Sequence, residues 1–348
     1  MSALEEESVV TGVASRTNKS ISHMLTVGDS SSEIFCVRFD HQDNYIAAGC
    51  GDSTIKIFNL ASGKMSFLLA NPYLGEFQKM PMTCVRWRPS GSGLKTMNVL
   101  VSVCADGSIY HWHATSGKCL HTINDNPDNH LYVIDYAADG TQFATGGRDT
   151  YVRVYDESTK SLVIALKGGL QDKPGHSNRV FSVHFDPKDR TRIVSGGWDN
   201  TLQLYDTRLG EPVASAYGPH ICGDSIDIRG NQILTGSYRS QEALQLWDVR
   251  TLKVVHDVEW EVGGRKSDSS CLYGAQFSKV NGDMIVAGGT AKSEVKVFEN
   301  DVGAACPVIG KVGDLEHSCL TVDFGNKRDI FACGTADGLL RIYDIAKD

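Results

Sequence analysis

Few groupings of side chains in this sequence have the types and spacing for chemistry. In His111-Trp112-His113 two imidazoles share one face of a strand, as two ligands of a metal ion would. No third ligand accompanies them, and the pair reads as two solvated histidines. Asp125, Asp128 and His130 cluster in DNPDNH, where Asn, Asp and Pro are turn formers first. Gly264-Arg265-Lys266-Ser267 approaches a phosphate loop but lacks the glycine beside the lysine and the helix that follows it. Neither H-E-x-x-H nor G-x-S-x-G occurs. No catalytic residue, metal site or cofactor is expected, and the chain does not read as an enzyme. None of the ten cysteines lies in a Cys-x-x-Cys pair. Cys36, Cys84, Cys104 and Cys333 fall in apolar runs, as buried free thiols do.

The elements that must position any site come from the rest of the chain. Its 348 residues are 41% hydrophobic, enough for a large core, and length alone allows two domains. Thirty-four Lys+Arg against 42 Asp+Glu give a net charge of −8, without the basic clusters that collect phosphates, so nucleic acid is not an expected partner. The acidic start Met1–Glu7 has no basic or apolar leader region, and no uncharged apolar run reaches membrane-spanning length. The expectation is a cytoplasmic protein off the membrane, with nuclear, cytoskeletal or ciliary association also compatible. Thirty-five glycines call for many tight turns.

A repeat supplies the architecture. Seven segments each read as a short apolar strand, a Gly-rich turn and an alternating strand ending in an aromatic: Phe58, Trp112, Tyr155, Tyr205, Trp247, Phe298 and Tyr343. These aromatics recur about every 50 residues. Before each segment lies another strand signature (IFCVRF, TCVRW, LYVIDY, VFSVHF, DSIDI, LYGAQF, LTVDF), and after it a more variable fourth, such as KMSFLLA or SLVIAL. Four alternating strands per unit, repeated radially, make a propeller blade. The seventh unit has only Ile345–Asp348 left for its fourth strand, whereas Ser20–Val27 is an orphan strand at the other end. The fold class expected is all-β: a single seven-bladed propeller of four-stranded antiparallel blades over 20–348, closed by that N-terminal strand. Residues 1–19 are expected to be a flexible lead-in.

These units resemble the WD-repeat family over nearly the whole chain. Gly175-His176 and Trp247-Asp248 match the ends of that family's unit, and Tyr155-Asp156, Tyr205-Asp206 and Tyr343-Asp344 come close. The resemblance implies an intra-blade network on His176, Ser195, Asp199 and Tyr205, with a phenol where the family has an indole. It also implies that Asp52, Asp106, Asp149, Asp199 and Asp337 tie their turns to backbone amides, a structural role. Blades five and six depart, with Arg239 and Ala291 where Asp is expected.

By the same resemblance, the residue before the turn Asp lies near the rim of the family's interaction face. Around the ring it is Gly51, Ala105, Arg148, Trp198, Tyr238, Thr290 and Ala336. Arg, Trp and Tyr are the types enriched at binding hot spots. Arg148, Trp198 and Tyr238, bordered by Arg179, are therefore expected to dock a peptide or protein loop; packing of Trp198 and Tyr238 under neighbouring loops is the alternative. Tyr205-Asp206-Thr207-Arg208 and Trp247-Asp248-Val249-Arg250 look like the adaptor-docking pattern of cullin-4 ligase substrate receptors, although Arg208 and Arg250 read first as partners of blade carboxylates. The loops 71–81, 90–98 and 260–270 receive no role. The expected function is a non-enzymatic scaffold, itself monomeric, that joins other proteins in a complex. A ligase substrate receptor is the alternative, and a hydrolase centred on the channel is the alternative of another class.

Overall fold

Each alternating segment folds as an edge-on member of a small antiparallel sheet, because one blade buries its faces only against its two neighbours. The computed structural model describes residues 9–10, 19–70, 79–89, 98–166, 175–260, 271–290, 293–313 and 315–347. Residues 1–8 and 11–18 of the lead-in, most of the three long loops (71–78, 90–97, 261–270), with them Gly264–Ser267, and Ala291 lie outside it. The described strands form seven sheets, one per blade of a seven-bladed propeller; four strands of each run in sequence order from the channel outward, except in the last blade, whose outermost strand is the N-terminal Lys19–Gly28.

The innermost strands are Ile34–Phe39, Met82–Trp87, Leu131–Tyr136, Val180–Asp186, Ile226–Arg229, Leu272–Phe277 and Cys319–Phe324. Blades are numbered one to seven in that order. The ring closes as the orphan strand requires: Lys19–Gly28 pairs antiparallel with Leu339–Lys347, Ser20 opposite Ala346 and Val27 opposite Leu340. Closure matters because an open blade would expose a row of unpaired backbone groups. A feature absent from the sequence reading is that Val9–Val10 adds a fifth strand to the outer edge of blade six, Val9 opposite Val312.

The seven terminal aromatics are all buried. Phe143 and Tyr155 stack at 5.1 Å, and Phe331 and Tyr343 at the same distance. All ten cysteines are free, and Cys36, Cys84, Cys104 and Cys333 are buried. Glycine is required where the second strand ends. A Cβ on Gly197 would lie 2.0 Å from the Arg179 carbonyl oxygen, and one on Gly147 would lie 2.5 Å from that of His130. Only glycine lets the two backbones approach so closely.

One sequence expectation fails here. His111 is not solvated: it is buried, with Nε2 3.1 Å from Glu157 of the next blade. His113 bonds Ser116 through Nδ1 at 2.8 Å. Strand alternation put both imidazoles on one face, but that face meets blade three at His111. Glu157 is also paired with Arg88 and, at 2.6 Å, with Lys160. Burial alone would raise its carboxyl. His111 and Lys160 outweigh that and bring it from 4.5 to about 2. A depressed carboxyl contributes stability above its unfolded pKa, and that stability is lost as pH falls through the folded value. Acid unfolding between pH 4.5 and about 2 is therefore expected to be shallower in Glu157→Gln than in wild type. Circular dichroism across that range checks this, and identical profiles would refute it.

Candidate functional site

The rim is built by one hydrogen bond repeated in six of the seven blades. The backbone N–H of Gly51, Ala105, Arg148, Trp198, Thr290 and Ala336 donates to the carbonyl of the residue just before the inner strand: Glu33, Pro81, His130, Arg179, Cys271 and Ser318. Tyr238 donates instead to His220, since blade five enters its inner strand by a different path. The seven positions therefore lie at one end of the ring, around the channel mouth. The turn Asp residues fix the turns below: Asp52, Asp106, Asp149, Asp199 and Asp337 each accept the N–H two residues on, at 2.8 to 3.3 Å. In blade five, Arg239 donates to carbonyls instead, reaching Gly218 at 2.9 Å.

The network of blade four has His176 between Asp199 (2.8 Å) and Ser195 (2.7 Å). It stops there. The indoles of Trp112 and Trp247 donate to Ser102 and Thr235, both at 3.0 Å, but the buried Tyr205 hydroxyl has no hydrogen-bond partner among the described residues.

Trp198 and Tyr238 are 36% and 37% exposed, and the Arg148 guanidinium has no ion pair among the described residues. Trp198 is not isolated. It stacks with Phe181 at 5.2 Å and His220 at 6.3 Å, Phe181 stacks with Tyr132 at 4.4 Å, and the Arg179 guanidinium sits 4.7 Å from the indole centroid. The indole N–H reaches Cys222 Sγ at 3.1 Å. Tyr238 packs on Tyr273 at 5.1 Å. The arrangement is an aromatic arc over blades three to six, able to take apolar and aromatic side chains with a cation beside them. The sequence reading missed Tyr132, Phe181, His220 and Tyr273. Three of these had a signal: Tyr132, Phe181 and Tyr273 are the second residue of their inner strands, the place Phe35 holds in blade one, where it is 37% exposed.

The channel holds what the sequence did not disclose, a convergent charged cluster. The residue before the last large apolar side chain of each inner strand (Phe39, Trp87, Tyr136, Phe185, Ile228, Phe277 and Phe324) reads Arg38, Arg86, Asp135, His184, Asp227, Gln276 and Asp323. Inner strands have one unpaired edge, and four of these side chains cap it. Asp323, Asp135, Asp227 and Gln276 accept the N–H of Phe39, Phe185, Phe277 and Phe324, each in the following blade. The two arginines cannot accept, and with His184 they converge on Asp224, delivered by the segment that precedes the short inner strand of blade five. Arg86 reaches it at 2.6 Å, His184 at 3.0 Å, and Arg38 pairs with it too. Burial alone would raise the Asp224 carboxyl; Arg86, Arg38 and His184 hold it well below the usual range. His184 is raised, the cost of burial outweighed by Asp135 and Asp224. A carboxylate so held is a poor base. The cluster binds the blades together.

On blades four and five, Arg208 pairs with Asp206 at 2.5 Å and Arg250 with Asp248 at 2.9 Å, and both arginine side chains stay exposed, 70% and 67%.

Fold and rim define a seven-bladed propeller whose blades repeat one wiring pattern, with a departure in blade five, around a channel lined by a charged cluster. The chain contains WD repeats: residues 20–59, 117–156 and 170–206 match the family model "WD domain, G-beta repeat". It is similar to a meiotic fizzy-related protein of Schizosaccharomyces pombe, 33% identical over 166 residues, 47% of this chain and 36% of the relative. It is also similar to Arabidopsis thaliana "Cell division cycle 20.1, cofactor of APC complex", 22% identical over 68% of this chain and 49% of the relative. A third relative, protein tipD of Dictyostelium discoideum, is 23% identical over 88% of this chain and 46% of the relative. The chain thus spans about half or less of the length of these relatives.

Proposed function

We propose that the protein is a non-enzymatic scaffold of the cytoplasm that docks a peptide or protein loop on the rim of blades three to five, with Trp198 at the centre and Arg148, Arg179 and Tyr238 around it. The observation that carries this reading is the exposed aromatic arc, because a monomeric surface seldom keeps stacked aromatics in water without a use for them. That one relative is described as a cofactor of a complex fits a chain working among other proteins. The test is quantitative recovery of partners on tagged full-length protein, comparing wild type with Trp198→Ala and Tyr238→Ala variants of unchanged circular dichroism. Loss of the same partners from both supports the reading; unchanged recovery from both removes it.

A second reading rests on the exposed pair Arg208 and Arg250, whose partners in the fold are the carboxylates two residues back. As a ligase substrate receptor, the protein is expected to co-purify with the cullin-4 adaptor. The double variant Arg208→Ala, Arg250→Ala is expected to lose the adaptor with no change in melting temperature. Absence of the adaptor from native extract would end this reading.

A further inference from the structure

Cys36 and Cys84 occupy matching places on the inner strands of blades one and two, and their sulfur atoms are 3.9 Å apart in the buried channel wall. At equivalent places Thr321 and Ser182 use a hydroxyl to accept the N–H of the neighbouring strand, from Val37 and Ile226. Cys36 has the same task with sulfur: the Val85 N–H points at its Sγ from 3.4 Å. On the other thiol, Arg86 Nη1 lies 3.1 Å from Cys84 Sγ. Donors and guanidiniums aimed at sulfur favour thiolate over thiol. Burial opposes the charged form, yet the Cys84 thiol with Arg38 and Arg86 brings Cys36 down to about 6. Burial and the neighbouring Cys36 push Cys84 up. The pair is unequal, with one sulfur suited to attack and one to resolve.

Metal binding is the competing chemistry, since Asp224 brings a third ligand atom within 4.8 Å of both sulfurs. The donor set does not fit a cation. Asp224 is held by Arg38, Arg86 and His184, so a metal ion would face two guanidiniums at contact range. The same positive charges favour oxidation, which consumes a thiolate and adds no cation.

We propose that Cys36 and Cys84 form an oxidisable pair that hydrogen peroxide converts to an intramolecular disulfide tying blade one to blade two at the channel. Cys36 thiolate attacks one peroxide oxygen: the S–O bond forms, the O–O bond breaks, and the departing hydroxide leaves as water with the thiol proton. Cys84 then displaces hydroxide from the sulfenic sulfur, forming the S–S bond and a second water. Two thiols and one peroxide give one disulfide and two waters. The sulfurs must close to about 2.05 Å. Solvent reaches the adjoining wall, where Asp135, His184 and Asp224 side chains are 15%, 12% and 12% exposed.

The experiment treats the folded full-length protein with hydrogen peroxide, alkylates remaining thiols, and maps peptides without reduction. A Cys36–Cys84 link is expected, lighter by two hydrogens, while buried Cys319, whose thiol is pushed well above its ordinary range, stays alkylatable. The link is expected to vanish in Cys36→Ser and in Cys84→Ser, and in the latter Cys36 is expected to accumulate as a sulfenic acid trapped by dimedone. The proposal is overturned if both thiols remain alkylatable at a dose that oxidises exposed Cys119, or if Cys36 proceeds to sulfinic acid without a link. The wild-type map decides the matter even if a serine variant fails to fold.

Discussion

Asp224→Ala is expected to cost about 3 to 5 kcal/mol of unfolding free energy, the usual effect of removing one partner from a buried ion cluster. The reason is what remains behind. Arg38 and Arg86 have side chains only 6% and 10% exposed, and each loses the carboxylate that pairs with it in the centre of the channel. Arg86 keeps Asp135 at 3.1 Å, and Arg38 keeps Asp323 only at 3.7 Å. His184, raised by Asp135 and Asp224, is expected to fall towards its ordinary range in the variant. Urea unfolding followed by circular dichroism measures the loss. Asp224→Asn keeps the shape and removes the charge, so it is expected to fall nearer to alanine than to wild type. Sulfate is expected to raise the melting temperature of the alanine variant more than that of wild type, by occupying the vacated place between the guanidiniums. A loss within about 0.5 kcal/mol, the range of ordinary surface substitutions, would show that Asp224 holds nothing together.

The wild-type pH profile tests the same cluster from another side. A histidine raised on folding contributes stability that is fully present below its unfolded pKa and is lost as pH rises through the folded one. Wild type is therefore expected to lose stability as pH rises from 6.5 through His184's elevated pKa, and His184→Gln is expected to lack that step. Melting temperatures measured from slightly acid to slightly alkaline pH separate the two.

Seven-fold repetition explains how much of the molecule was legible in the sequence. Each blade repeats the evidence for every other, so weak signals such as Phe58 or Phe298 in place of tryptophan were placed by register, and the orphan strand at Ser20–Val27 was placed by the want of a partner at Ile345. Register also put Arg148, Trp198 and Tyr238 at one end of the ring. The parts that escaped are those where two blades meet. His111 and Glu157 are 46 residues apart, and nothing in either strand signals the other. Asp224 stands where the inner strands of other blades carry Phe35, Tyr132, Phe181 or Tyr273, so in one dimension it is only an exception to an aromatic position. Its function as a plug depends on Arg38, Arg86 and His184 facing a common axis, which closure of the ring creates. The Val9–Val10 strand is too short to register as a pattern at all.

Trp198→Ala is expected to weaken partner binding by about 2 kcal/mol or more, roughly 30-fold in Kd, as hot-spot tryptophans do. The indole is the member of the arc that touches most of the others: Phe181 and His220 by stacking, Arg179 through its ring, and Cys222 through its N–H. Its removal takes away the largest exposed ring and also frees Arg179 from the position in which the indole holds it, so the cation beside the aromatic surface loses its orientation. Trp198→Phe keeps a ring for Phe181 and His220 while losing the donor to Cys222 and part of the area, and it is expected to fall between wild type and alanine. Arg148→Ala removes a side chain outside the stack and is expected to cost less than Trp198→Ala. Because Trp198 is 36% exposed, the fold is expected to tolerate the change, so titration calorimetry of the recovered partner against variants of equal melting temperature isolates the effect on binding. An unchanged Kd for Trp198→Ala would place the docking surface elsewhere on the propeller and leave the arc as packing among blades three to six.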